Sequence, residues 1–462
     1  MKLERFEVPG LAHYSYILES RGQAVVIDPK RDFDTYIRSA AARGLKISKV
    51  LETHIHADFA SGARQLAAAT SAELWLSFYD RGEDFEYRFP HCELRDGSEI
   101  AVGDLNLIAL HTPGHTPEHL SFLVADTARC RCPMALLSGD FVFVGSLGRP
   151  DLLGESAKLR LAAELYESLH QRIGRLPDGI EIYPAHGAGS MCGSGMAERQ
   201  QSTLGYERAC NPFFSDRDKQ SFIHHILSTV PPFPDYYRRM KRVNSEGPAL
   251  LEQLPGGHGF SPAEFRQAMQ DGNALVIDLR CPEAFGTAHI PGSFNIGAGK
   301  DLSTWAAWVV PYDRPVLLVS DDGTDQEEAR RSLIRVGFDD IRGCLRGGMK
   351  TWIDAGYEQE HVPQVSVGGL HQRLGRGARV LDVRNEGEWN AGHIAGAQHI
   401  MAGDLPKRVA EVPADTAVYV ICGSGYRSSV AASVLRRAGL RDLVNVAGGM
   451  AAWNNAGLPT VR

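Results

Sequence analysis

The chain has little cysteine, no run of charge of one sign and no long apolar stretch. Eight cysteines are spread over 462 residues, at Cys92, Cys130, Cys132, Cys192, Cys210, Cys281, Cys344 and Cys422. So sparse a set in a chain this long does not make a disulfide framework, and in a reducing compartment most such thiols are inert. Cys130-Arg131-Cys132 is spaced too tightly for an ordinary zinc knuckle and reads as structural or incidental. No apolar run reaches about 18 residues, so no membrane-spanning helix is expected. Met1-Lys2-Leu3-Glu4 does not open a secretory leader, and a cytoplasmic protein is expected. There is no block of five like charges, and the formal net charge is −7. That balance offers no basic stripe for phosphates, so nucleic acid is not an expected partner.

What is present describes an ordinary globular chain, 43% hydrophobic and 23% charged, with a length prior of roughly three domains. The first chemical signal is Thr53-His54-Ile55-His56-Ala57-Asp58-Phe59. Lys49 to Glu52 read as the end of a strand and Ala60 to Ala69 as a helix, so two imidazoles and a carboxylate are delivered at a strand-to-helix turn. On a strand His54 and His56 would point the same way. Further strand ends follow. Leu105 to Leu110 runs into Thr112-Pro113-Gly114-His115-Thr116-Pro117-Glu118-His119, Met134 to Leu137 into Ser138-Gly139-Asp140, and Ile180 to Tyr183 into Pro184-Ala185-His186-Gly187. Metal-type ligands at several strand ends on one sheet edge predict a convergent cleft. Two histidines and one carboxylate with open positions suit non-haem Fe(II), and zinc with a water is the alternative.

This series, His-x-His-x-Asp, Thr-Pro-Gly-His-Thr, Gly-Asp and Ala-His-Gly, resembles the metallo-β-lactamase superfamily over about the first 240 residues, which implies an αββα sandwich. Dinuclear hydrolases of that superfamily, such as the glyoxalase II type, carry His directly after the motif's Asp; here Phe59 stands there and cannot ligate a metal. The departure implies a mononuclear site and makes the unit look like the persulfide dioxygenases of the superfamily. Their iron ligands carry over to His54, His115 and Asp140, one Fe(II) per chain. His56, Asp58 and His186 become groups that orient ligands or hold water. Arg149 is placed either to bind a carboxylate of a thiol carrier or to pair with Asp151, and Cys192 either to receive sulfur or to sit as a small residue.

Asn244 to His258 breaks the pattern and reads as a linker. Beyond it the sequence repeats. Val276-Ile277-Asp278-Leu279-Arg280 returns as Val380-Leu381-Asp382-Val383-Arg384, and Gly347-Gly348-Met349 as Gly448-Gly449-Met450, about 100 residues later, a pair of domains rather than a solenoid. Three domains are expected, at 1–243, 258–360 and 365–462, the last two small parallel α/β units. In the third, strand Ala417 to Ile421 runs into Cys422-Gly423-Ser424-Gly425-Tyr426-Arg427-Ser428-Ser429 and then a helix from Val430. A glycine-rich loop before a helix N-terminus makes an anion cradle. Cys422 at its centre is expected as a thiolate supported by Arg427, fit for covalent sulfur transfer.

The loop, with Gly392-His393-Ile394 and Gly448-Gly449-Met450, resembles the rhodanese family, which implies Cys422 as nucleophile and Gly423, Ser424, Gly425, Tyr426 and Ser428 as its persulfide loop. The middle copy resembles rhodanese too, but aligning Val319 with Ile421 puts Ser320 opposite Cys422 in Ser320-Asp321-Asp322-Gly323-Thr324-Asp325. It has no nucleophile and is expected to be an inactive spacer or docking surface. The whole chain thus looks like a persulfide dioxygenase fused to an inactive and an active rhodanese domain. The resemblance implies sulfide detoxification, with a low-molecular-weight persulfide, O2 and sulfite or thiosulfate as small-molecule partners, and by analogy a dimer or tetramer. A zinc thioester hydrolase of the glyoxalase II type with an appended sulfurtransferase is the alternative.

Overall fold

The computed structural model describes residues 1–215, 218–230 and 232–462. The chain divides into two compact units. The first holds residues 1–252 with 334–337, the second the remainder.

In the first unit two six-stranded sheets carry the core. One has strand order β1 (Lys2–Val8), β2 (His13–Ser20), β3 (Gln23–Ile27), β4 (Lys46–Leu51), β5 (Glu73–Ser77), β6 (Cys92–Leu94). In the other, β7 (Glu99–Val102), β8 (Leu105–His111), β9 (Leu120–Asp126) and β10 (Ala135–Gly139) are followed, past a hairpin of β11 (Val142–Phe143) and β12 (Ser146–Leu147), by β13 (Glu181–Pro184) and β14 (Ser202–Thr203), in the order β14-β13-β10-β9-β8-β7. Arg21 and Gly22, both at positive φ, turn β2 into β3.

The strand period of two explains the layering. Tyr16, Leu18, Val25 and Ile27 point inward and meet Leu107, Phe122, Val124 and Leu137 of the second sheet. Ile17, Val26 and Val50 point outward, onto Tyr36, Ala40 and Leu66 of helices Asp34–Ala42 and Ala63–Thr70. Leu123, Leu136 and Ile182 likewise meet Ala162, Leu165, Phe222 and Ile226 of helices Glu155–Glu167 and Lys219–Thr229. The result is the αββα sandwich.

The second unit holds two five-stranded parallel sheets of the same order. One is β15 (Gly259–Phe260), β19 (Ile341–Leu345), β18 (Val316–Val319), β16 (Leu275–Asp278), β17 (Phe294–Asn295). The other is β20 (Gln364–Val365), β24 (Leu443–Val446), β23 (Val418–Ile421), β21 (Arg379–Asp382), β22 (Gln398–His399). Register repeats as well: Asp278 lies opposite Val319 and Asp382 opposite Ile421. Asp278 and Asp382 each hold an arginine two residues on, Arg280 and Arg384, at 2.6 Å. Among the described residues no helix is long and apolar enough to cross a membrane.

Three local readings change. β4 stops at Leu51 and residues 52–62 are irregular, so strand alternation does not govern His54 and His56. The helix after them starts at Ala63 rather than Ala60, because Ser61 bridges back to Lys30. The pattern break at Asn244 does not end the first unit: helix Tyr236–Glu246 runs through it.

Candidate metal centre and sulfur-transfer loop

The irregular 52–62 segment is built on Asp28, at the end of β3 with a positive φ of 51°. Its carboxylate accepts the Thr53 N–H at 2.7 Å and the Thr53 hydroxyl at 2.9 Å, and lies 3.1 Å from His56 Nε2. From the far side, Lys241 Nζ donates to Ile55 O at 2.8 Å, and Asn244 Nδ2 to His56 O at 2.9 Å and Phe59 O at 2.7 Å. Glu118 accepts the Ile55 N–H at 2.9 Å. With its backbone groups so committed, the segment holds its imidazoles without a regular element.

Three side-chain atoms then converge. Asp140 Oδ2 lies 3.7 Å from His54 Nε2 and 3.5 Å from His115 Nε2. All three are buried and, among the described residues, none has a hydrogen-bond partner. Buried polar atoms are ordinarily paired, and leaving three together unpaired costs several kcal/mol. Two neutral imidazole nitrogens and a carboxylate oxygen fit a divalent cation. The supporting bonds agree. His115 Nδ1 faces Arg149 O at 2.9 Å, a carbonyl that can only accept, so the proton sits on Nδ1 and Nε2 keeps its lone pair. Burial lowers His115 to a pKa of about 4 and pushes His54 well below the ordinary value, where both are neutral.

His186 lies between two carboxylates, its Nδ1 2.7 Å from Asp140 Oδ1 and its Nε2 2.8 Å from Asp58 Oδ2. Burial opposes its protonation, but Asp140 and Asp58 outweigh burial and raise its pKa well above the ordinary value. His56 spends Nε2 on Asp28, and its ring lies 4.2 Å from that of His54. His119 accepts the Asp140 N–H at 3.0 Å and stacks on His54, with ring centroids 5.2 Å apart.

The second unit holds the other site. Cys422 follows β23 and is buried, its sulfur 3.1 Å from the Gly425 N–H and 3.4 Å from Ser428 Oγ. Carbonyls of Cys422 and Gly423 accept from Met450 N at 2.7 Å and Ala451 N at 2.9 Å, which anchors the start of the loop. Gly449 must be glycine here: its φ is +54° and a Cβ would stand 2.3 Å from Cys422 O. Ser424 is exposed at the loop tip. The helix begins at Tyr426, not Val430, so Tyr426, Arg427 and Ser428 form its first turn. The two Nη atoms of Arg427 bond both oxygens of Glu388 at 2.6 Å, while its charge still interacts with Cys422. In the middle copy Ser320 stands in the cysteine's place, bonded by Gln326 Nε2 at 2.8 Å, and Asp321, Asp322 and Asp325 are exposed around it.

Residues 8–186 match the model of the metallo-beta-lactamase superfamily, and residues 261–355 and 366–456 each match the rhodanese-like domain. A crystal structure of a metallo-beta-lactamase from Staphylococcus aureus subsp. aureus COL is 36% identical, with a TM-score of 0.66, over 75% of this chain and 98% of that one. The chain belongs to the metallo-β-lactamase superfamily. It carries two rhodanese-like domains after the lactamase domain. A hydroxyacylglutathione hydrolase of Anaeromyxobacter dehalogenans (strain 2CP-C) is 32% identical over 44% of this chain and 82% of its own length. A structure titled ETHE1 from Myxococcus xanthus is 26% identical, with a TM-score of 0.45, over 53% of this chain and 98% of that one.

Within this metallo-β-lactamase domain Phe59 is buried, its ring 4.5 Å from that of His56 and 4.0 Å from that of His13. His13 is a residue the sequence did not single out. It is buried, its ring 5.5 Å from that of His186, and among the described residues neither of its ring nitrogens has a hydrogen-bond partner. Cys192 is buried, and its sulfur, an Asp58 oxygen and a His186 nitrogen lie within 4.8 Å of one another. Burial, and then Asp58 and Asp140, raise its thiol well above the ordinary range, so it is a neutral thiol. Arg149 is buried and pairs with both oxygens of Asp151 at 2.7 and 2.8 Å, which uses the guanidinium that a carrier carboxylate would need.

Proposed function

We propose that the lactamase domain oxidises a low-molecular-weight persulfide at a mononuclear Fe(II) site held by His54, His115 and Asp140, and that the third domain transfers sulfur through Cys422. The oxidation is R–S–SH + O2 + H2O giving R–SH, sulfite and two protons. The transfer, Cys422–S–SH plus sulfite giving Cys422–SH plus thiosulfate, consumes the sulfite and runs in either direction. The observation that carries this reading is the trio of buried donors without partners among the described residues, on a chain that also presents a buried cysteine whose sulfur meets the Gly425 N–H and the Ser428 hydroxyl.

Fe(II) in that trio supplies open positions and redox chemistry for persulfide and O2. The chain's own residues do the rest. Arg149 O fixes the His115 tautomer, and His186 takes up the second oxygen of Asp140, leaving Oδ2 free to face inward. Phe59 packs against His13 and His56 and offers no ligand for a second metal. At Cys422 the Gly425 N–H and Ser428 hydroxyl hold a sulfur anion through both halves of the transfer.

The second reading, a zinc-dependent thioester hydrolase, is favoured by the 32% identity to the hydroxyacylglutathione hydrolase. Metal content and the choice between glutathione persulfide and a glutathione thioester as substrate separate the two. Cys422→Ser tests the division of labour: sulfur transfer is lost and oxygen uptake is kept. Loss of both activities would refute the two-site account.

A further inference from the structure

The middle copy has lost its nucleophile, yet its β17 edge lies along the helix that carries the third domain's catalytic loop. Four positions on one face of helix Tyr426–Arg437 meet this strand or the segments that flank it. Tyr426 Oη donates to Gly297 O at 3.0 Å. Ser429 Oγ donates to Asn295 Oδ1 at 2.6 Å. Ala432 packs with Phe285 and Val362 in a small buried apolar cluster. Arg437 lies over the Phe294 ring at 4.3 Å and bonds Gly292 O. Tyr426, Ser429 and Ala432 follow at three-residue steps and Arg437 lies eight residues after Ser429, so the four share one broad helix face.

Asn295 is built for this contact. It is buried, and its Nδ2 donates to Arg280 O at 2.9 Å and Asp278 O at 3.2 Å, which fixes Oδ1 as the acceptor that meets Ser429. Gly297 approaches closely: a Cβ there would stand 3.2 Å from the Tyr426 ring. The helix turn so held is the one that supplies Ser428 Oγ to Cys422 and follows Gly425, whose N–H faces the sulfur. Within the third domain the loop is anchored at its other end, where the Cys422 and Gly423 carbonyls accept from Met450 and Ala451 of helix Gly449–Asn455.

We infer that the middle domain is part of the sulfurtransferase site, with Asn295 and Gly297 acting as positioning residues that set the first turn of the catalytic helix against Cys422. The middle domain, without a nucleophile of its own, then serves through its edge strand β17 as the bed for its neighbour's catalytic helix. The inference rests on the proposed sulfur transfer at Cys422, but its geometric content does not.

The test uses the full chain with Asn295→Ala, Ser429→Ala, the double variant and Ser429→Thr. Two readouts are taken: thiosulfate-to-cyanide sulfur transfer, and the rate of Cys422 alkylation by iodoacetamide at one fixed pH, read by peptide mass spectrometry. Each alanine variant is expected to lower kcat about tenfold at little changed KM, as small misplacements of reacting groups do, and to slow alkylation. The double variant should be no worse than either single one, since both break the same bond. Ser429→Thr, which keeps the hydroxyl, should restore both readouts. Alkylation in folded Asn295→Ala at the parent rate or faster, or additive effects in the double variant, would overturn the inference. Sulfur transfer missing from the parent chain, with alkylation still slowed in the variants, would overturn the sulfurtransferase reading and leave the positioning role standing.

Discussion

Asn244→Asp changes one atom and should loosen the metal-binding segment. Asn244 is 1% exposed. Its Nδ2 donates to His56 O and Phe59 O at 2.9 and 2.7 Å, and its Oδ1 accepts the Ser61 N–H at 2.8 Å. Aspartate keeps the shape and the Ser61 acceptor but turns an oxygen toward two carbonyls. Each carbonyl that loses its donor costs about 1–3 kcal/mol. The carboxylate itself is desolvated, which favours its protonated form. Together these cost about 3–5 kcal/mol, a large part of the roughly 5–15 kcal/mol that holds a domain folded. A protonated carboxyl donates again to one carbonyl. The folded-state pKa of the new group is therefore raised, the loss is largest at neutral pH, and it shrinks as pH falls through that raised pKa. A multidomain chain does not melt in two states, so the reading should be local. Hydrogen exchange at Ile55 to Ser61 should speed up by roughly a hundredfold or more, with metal retention falling alongside. Exchange within about threefold of the parent would refute the view that the Tyr236–Glu246 helix straps this segment.

Other consequences follow from single contacts. Glu388→Gln removes the carboxylate that occupies Arg427; the freed charge should lower the KM for thiosulfate or sulfite by about tenfold, and an unchanged KM would mean that anions do not meet Arg427. In the middle domain, burial against Phe285 lowers His289 to a pKa of about 4. Its neutral form is the stable one. The stability it contributes is full above the unfolded value near 6.5 and is lost as pH falls toward about 4, by up to about 3 kcal/mol. His289→Phe should flatten that dependence in acid unfolding of the second unit.

The sequence was most readable where function is carried by short motifs. His54, His115, Asp140, His186 and Cys422 sit in turns at or near strand ends, and both the strands and the turns are local. The repeat of the two rhodanese-like copies was equally plain, down to the alignment of Val319 with Ile421, which the sheet registers reproduce. What lay beyond it depends on distant partners. Lys241 and Asn244 reach back across more than 180 residues to the metal segment. Asn244 sits where Ser245, Gly247 and Pro248 look like a linker, Lys241 lies just before it, and nothing local marks either as buried. His13 is one histidine at the start of a strand, and only the packed structure sets it against Phe59 and His186. The capture of Arg427 by Glu388 was hidden for the same reason, since a motif states which residues are present and not which partner each one takes.

The most direct test of the central claim is oxygen uptake by iron-reconstituted protein given glutathione persulfide, with His115→Ala alongside. The account predicts uptake that yields sulfite and disappears in the variant. Absence of uptake across several persulfides, with thioester cleavage by the zinc-loaded chain, would contradict it and establish the hydrolase in its place.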